Sequence, residues 1–358
     1  MTENISVYQS CLRPQHRILR YAKRKLGFNQ AQSRIIKMSR EQAKRVLYHR
    51  DFPLSVNILL GNFCNLSCPA CPYHGSYAPS YFRQFDKMSD EVIDRLVDEL
   101  PHYQTNAKFG GFEEPLAFKA GFKRITTALR DKGLGVHVTT NGTLITDDLL
   151  HTLQNLSTMY VSLDAHSIAT YKTVRGADFN KVVANIEKVR QGFKGVKFGV
   201  SFIRQPKNEH EMQVFKDHWI TKADMVIIYA LLEFNKHDYK IDRPFLASPK
   251  ERIVCSSPFL ETYVLPNGDV SLCCETLLLT DRDSVPIMGN IKERSLHEIW
   301  NGEQYRAYRD ALVDENWKIA AICQQCPLWA ASYYETHNEN GVKVTHNPTT
   351  EVLERIAN

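Results

Sequence analysis

From residue 54 onward the chain alternates between short β-rich runs and amphipathic stretches of helical period, which leaves few folds open. Strand candidates lie at 55–60, 106–112, 135–140, 158–163, 196–203 and 225–230, with helix candidates at 89–100, 119–132, 147–155, 180–192 and 209–219 between them. In the first of these helices Val92, Ile93, Leu96, Val97 and Leu100 form one apolar stripe behind an N-cap, Ser89. Six strands alternating with five helices imply an α/β fold with a parallel sheet covered by helices. Periodicity alone does not say whether that sheet is open or closed.

The cysteines are patterned rather than scattered. They stand at positions 11, 64, 68, 71, 255, 273, 274, 323 and 326. An odd number grouped as C-x3-C-x2-C, Cys-Cys and C-x2-C does not read as a disulfide framework, and in a reducing compartment such spacing points to metal ligation. The run Phe63-Cys64-Asn65-Leu66-Ser67-Cys68-Pro69-Ala70-Cys71 follows the first strand directly, so a loop can turn three thiolates onto one inorganic centre. Three protein ligands on a four-iron cluster leave one iron open for chemistry. Further on, Cys255 precedes two β-rich runs joined at Pro266-Asn267-Gly268-Asp269, a hairpin signal, and Cys323-Gln324-Gln325-Cys326 supplies a close pair. Cys255, Cys273, Cys323 and Cys326 can make a four-thiolate site, for which zinc and a four-iron cluster are equally suited by composition.

C-x3-C-x2-C after an early strand resembles the signature of the radical S-adenosylmethionine (SAM) enzymes, with Ala70 where that family usually has an aromatic. Other strand ends carry further matches. Gly110-Gly111-Phe112-Glu113-Glu114-Pro115 is similar to the family's Gly-Gly-Glu-Pro motif, with Glu114-Pro115 aligned to its final pair. Thr139-Thr140-Asn141-Gly142 is similar to its Thr-Asn-Gly segment, and Ser162-Leu163-Asp164-Ala165, Tyr171 and Arg175-Gly176 to its Ser-Leu-Asp-Gly…Tyr…Arg-Gly run. The resemblance implies a partial (β/α)6 TIM-like barrel. It places a [4Fe-4S] cluster on Cys64, Cys68 and Cys71, and SAM contacts from Glu114, Asn141, Ser162, Arg175 and Tyr73. The later cysteines, with Gly289-Asn290-Ile291 and Ile299-Trp300, resemble a SPASM or twitch β-hairpin-plus-helix domain of the 2-deoxy-scyllo-inosamine dehydrogenase type. By that resemblance Cys255, Cys273, Cys323 and Cys326 hold one auxiliary [4Fe-4S] cluster.

The implied domains are a basic helical leader at 1–53, the barrel at 54–231, a linker at 232–254, the auxiliary-cluster domain at 255–338 and a tail at 339–358. The implied reaction is reductive cleavage of SAM to a 5′-deoxyadenosyl radical that abstracts a substrate hydrogen. The favoured outcome is two-electron oxidation of a sugar-like, aminocyclitol-like or peptide substrate. The alternative is a peptide epimerase or cross-linking enzyme in which Cys274, next to the ligand Cys273, donates hydrogen. A flavodoxin or ferredoxin is the expected electron donor.

Charge and hydropathy bound the remaining classes. Residues 1–50 carry twelve Lys and Arg against Glu3 and Glu41, whereas the other 308 residues have 33 basic and 38 acidic side chains. Such an arm suits an acidic redox partner, an acidic substrate or nucleic acid, and equally a solvated helical face. A zinc protein with a nucleic-acid-binding arm would explain the cysteines and the charge, but not the strand–helix alternation, so nucleic acid is not the expected partner. No apolar run approaches the roughly 20 residues of a membrane span, and residues 1–10 lack a signal-peptide core. A cytoplasmic location is therefore expected.

Overall fold

The computed structural model describes residues 50–75, 86–235, 238–274 and 285–356. Cys11 and residues 1–49 of the basic helical leader expected at 1–53 lie outside them.

Six parallel strands stand side by side in chain order: β1 (Ser55–Ile58), β2 (Asn106–Phe109), β3 (Gly135–Thr140), β4 (Thr158–Ser162), β5 (Lys197–Arg204) and β6 (Met225–Ala230). The helices α1 (Asp90–Glu99), α2 (Lys119–Asp131), α3 (Asp147–Leu153), α4 (Ile168–Arg175), α5 (Phe179–Gly192) and α6 (Met212–Ile220) fall between them. One sheet face takes the apolar alternates: Val56, Ile58, Phe109, Val138, Val161, Val200 and Phe202 are buried with Val92, Ile93 and Leu96 of α1 and Phe122 and Ile125 of α2. Each such side chain contributes about 1.5–3 kcal/mol by leaving water. Ser89 caps α1 as its position predicts, its Oγ accepting from the Val92 N–H at 3.4 Å.

β1 and β6 do not pair with each other, so the six strands form an unclosed barrel. A hairpin of β9 (Glu261–Val264) and β10 (Asp269–Ser271), with β11 (Ile287–Asn290), extends the β1 edge, where β9 runs parallel to β1. On the other edge β14 (Thr350–Arg355) pairs antiparallel with β6, followed by β13 (Val342–His346) and β12 (Glu335–Glu339). The segment 339–358, expected as a tail, thus contributes two strands to the sheet. Asn340 and Gly341, both at positive φ, form the tight turn between β12 and β13. The expected linker contains a further hairpin of β7 (Leu232–Asn235) and β8 (Asp238–Ile241). Residues 296–314 form two helices broken at Asn301-Gly302, α8 (Leu296–Trp300) and α9 (Glu303–Asp314), while α7 (Ser257–Leu260) and α10 (Ala321–Gln325) flank the cysteines. No helix among the described residues is long and apolar enough to cross a membrane.

Candidate cluster and cofactor site

The loop after β1 is fixed by its own backbone. The Cys71 N–H donates to the Cys68 carbonyl at 2.9 Å, and the Gly75 N–H to the Cys71 carbonyl at 3.0 Å. A Cβ on Gly75 would lie 2.5 Å from the Cys71 carbonyl oxygen and 2.8 Å from that of Cys68, so a larger residue would push the loop open. Each thiol meets polar hydrogens: Cys64 Sγ accepts from the Leu66 N–H at 3.5 Å, Cys71 Sγ from the His74 N–H at 3.3 Å, and Cys68 Sγ from Arg175 Nη1 at 3.7 Å. Burial pushes the Cys64 thiol up to about 11 against the Leu66 N–H, and burial raises Cys68 against the Arg175 guanidinium. Crowded, half-buried thiols of this kind ionise when a cationic centre compensates them. Among the described residues no three His, Cys, Asp or Glu side chains stand close enough for a single metal ion. A cube-shaped four-iron cluster spreads its ligands over separate irons, so the three-thiol donor set and its N–H donors suit it.

The residues expected at the other strand ends converge on this loop. Asn141, just after β3, donates from Nδ2 to Asn65 Oδ1 at 2.9 Å and lies 3.9 Å from Cys64 Sγ, while its Oδ1 accepts from the Thr143 N–H at 2.9 Å. The Glu114 carboxylate is buried and engaged: it accepts from Thr140 Oγ1 at 2.7 Å, the Leu116 N–H at 3.1 Å and the Asn141 N–H at 2.7 Å. Its observed role is to set the end of β3. Gly110 is required there, since at φ +100° a Cβ would lie 2.2 Å from the Thr139 carbonyl oxygen. Arg175 ends α4, where Gly176 closes the helix in the left-handed region. Its Nη2 pairs with Asp164 Oδ2 at 2.7 Å. Ser162 Oγ sits 3.3 Å from Ser201 Oγ at the end of β4. The Tyr73 ring is buried against Phe112, at 4.6 Å between centroids, and packs with Leu59, Tyr263 and Leu265.

The second cysteine set opens onto a cavity of about 430 Å³. Cys255, Cys273, Cys274, Cys323 and Cys326 all line it, so the structure gathers the four expected ligands and Cys274 around one space. Burial pushes Cys323 up to about 12, Cys255 adding to the rise and Arg252 opposing it. Burial first, then the nearby Cys274, raises the Tyr263 phenol. The opposite wall comes from the inner face of the sheet, including Lys108, His137, Thr139 and Tyr160, and from β13 and β14 through Thr345 and Thr350.

Some polar groups near these sites were not singled out from sequence. Glu113 is buried with Oε2 lacking a hydrogen-bond partner, and burial pushes it up to about 8. Burial, then Lys108 and Arg130, hold His137 down at about 3, and its Nδ1 is unpartnered. Asp164 adopts φ +59° and accepts from the Ile203 N–H at 2.7 Å as well as pairing with Arg175. Of these, Glu113 and Asp164 stood inside quoted motifs, so the signal was present; nothing near His137 in sequence marks it.

Comparison with known proteins agrees with this geometry. A family model of the Radical SAM superfamily matches residues 58–215, and one of the SPASM iron–sulfur cluster-binding domain matches residues 255–327. The chain is 21% identical, over 74% of its length and 85% of the relative's, to a tungsten-containing aldehyde ferredoxin oxidoreductase cofactor-modifying protein of Pyrococcus furiosus. Its fold is similar to that of Streptococcus suis SuiB (TM-score 0.58, 14% identity, 86% of this chain and 81% of the other). It is also similar to BtrN in complex with AdoMet and 2-DOIA (TM-score 0.50, 18% identity, 77% and 93%).

Proposed function

Because this chain carries a radical SAM superfamily domain at residues 58–215 and a SPASM iron–sulfur cluster-binding domain at 255–327, we propose that it oxidises a sugar-like, aminocyclitol-like or peptide substrate by two electrons. Iron–sulfur clusters and SAM are its cofactors. Once bound, they supply reductive cleavage of the sulfonium and a 5′-deoxyadenosyl radical able to take hydrogen from an unactivated carbon. The chain's own residues do the positioning. Cys64, Cys68 and Cys71 would hold the SAM-binding cluster, Asn141 and Glu114 lock the loop to the end of β3, and Arg175, beside Cys68, would grip the SAM carboxylate. Ser162 adds a hydroxyl at the end of β4.

One observation carries the reading: the cavity joins the inner face of the barrel to Cys255, Cys273, Cys323 and Cys326. A substrate held there would lie beside the second redox centre, with Gly110 and Thr139 of the strand ends in the same lining. His137 and Thr350 are among the polar residues that line it. A flavodoxin or ferredoxin is the proposed electron donor. The SuiB and anSMEcpe structures in complex with peptides bear on the peptide option only through fold.

A second reading has its own support. Cys274 lines the cavity beside Cys273, which places a thiol in the same space as a substrate radical. Anaerobic purification tests the class itself. Two four-iron clusters require a brown protein with about eight irons, and a colourless protein loaded with zinc would contradict both readings.

A further inference from the structure

Arg252 lies in the segment read from sequence as a linker and outside both family matches. The fold carries it to the second cysteine set. Its guanidinium donates to the Gln324 carbonyl at 3.0 Å and to the Cys323 carbonyl, the backbone of the C-x2-C pair. The ring centroids of Trp317 and Trp329 lie 4.7 and 5.3 Å from its central carbon. Two indole faces and two carbonyls fix a flexible side chain in one place. Arg252 lines the cavity together with Cys255, Cys323 and Cys326.

We propose that Arg252 is a positioning residue for the auxiliary cluster, holding a fixed positive charge against its thiolate ligands and raising its reduction potential. The inference rests on the reading of Cys255, Cys273, Cys323 and Cys326 as ligands of one four-iron cluster. Four thiolates make that centre anionic, and one electron from a ferredoxin-class donor adds to the negative charge. A nearby cation stabilises the reduced state more than the oxidised one, and net charge with hydrogen bonding is among the levers that set such potentials. Guanidinium suits the task because it stays protonated and tolerates stacking on aromatic faces. The carbonyl bonds to residues 323 and 324 also tie the charge to the ligand loop, so it moves with the cluster.

The test uses the full chain with Cys64, Cys68 and Cys71 replaced by Ala, leaving only the auxiliary centre, and follows its electron paramagnetic resonance signal in a reductive titration. Arg252→Gln at full iron content is expected to lower the reduced fraction about tenfold at a fixed potential, a downward shift of about 59 mV for one electron. Arg252→Lys, which keeps the charge, is expected to recover most of it. An unchanged midpoint in Arg252→Gln overturns the proposal. If that variant loses iron, Arg252→Lys decides: a midpoint near the parent supports the electrostatic role, and a midpoint displaced at full iron content overturns it. A background variant that binds no iron removes the auxiliary cluster itself, and with it the reading on which the inference rests.

Discussion

Arg175 Nη2 lies 2.7 Å from Asp164 Oδ2, and Nη1 of the same guanidinium lies 3.7 Å from Cys68 Sγ. One buried cation is thus aimed by a carboxylate from the end of β4 onto a thiol of the cysteine loop. Truncating Asp164 to Ala would leave that charge uncompensated, at a cost of about 3–5 kcal/mol. Arg175→Lys keeps the charge but cannot serve both partners. We expect it to fold, keep its iron and bind SAM at least tenfold more weakly, matching a charge-assisted hydrogen bond of about 1.5–3 kcal/mol. Equilibrium binding of SAM checks this, and parent-like affinity would count against the placement of Arg175.

The two cysteine sets should separate by mutation. Cys323→Ala and Cys326→Ala are expected to lower the iron content by about half while leaving residual SAM cleavage, because Cys64, Cys68 and Cys71 are held by other elements. A variant that retains all its iron would show that these cysteines are not ligands.

The fate of the substrate hydrogen distinguishes the two proposed reactions. Oxidation gives a product lighter by two hydrogens, without solvent label, and tolerates Cys274→Ala. Hydrogen donation by Cys274 places solvent deuterium on the product carbon and stalls in that variant. Mass spectrometry of the product formed in deuterated water reads both, and deuterium at an inverted carbon would contradict the oxidation.

His137 gives the fold a defined pH response. Burial holds it down at about 3, below its ordinary value, so the unfolded chain binds the proton first as pH falls. Its contribution is fully present above about pH 6.5 and is lost progressively toward pH 3, at up to about 1.36 kcal/mol per pH unit. Between pH 7.5 and 5 the parent should lose about 2 kcal/mol more than His137→Asn in denaturant titrations. Equal losses would show that the imidazole is not buried as a neutral group.

Much of this architecture was legible in the chain because it is local and ordered. The period switch between strands and helices, the spacing of Cys64, Cys68 and Cys71, and the polar residues closing β3 and β4 each report on a few neighbouring positions. Chain order then places them at one end of a parallel sheet. Arg252 and His137 were not legible as site residues, because their surroundings come from strands and loops far away in sequence. Arg252 gains its meaning only when Trp317, Trp329 and the Cys323 carbonyl fold around it. The strands β13 and β14 were missed differently. Asn340-Gly341 is a hairpin signal, but the flanking runs are short and charged, and pairing with β6 is what makes Thr350 and Val352 buried.

The central claim is that Cys64, Cys68 and Cys71 hold the centre at which SAM is reductively cleaved. It is tested most directly by quantifying 5′-deoxyadenosine from anaerobically reconstituted protein, SAM and a strong reductant. The parent should form it, and a variant with all three cysteines replaced by Ala should form none while keeping the iron of the second cysteine set. Persistent 5′-deoxyadenosine formation by that variant would contradict the account.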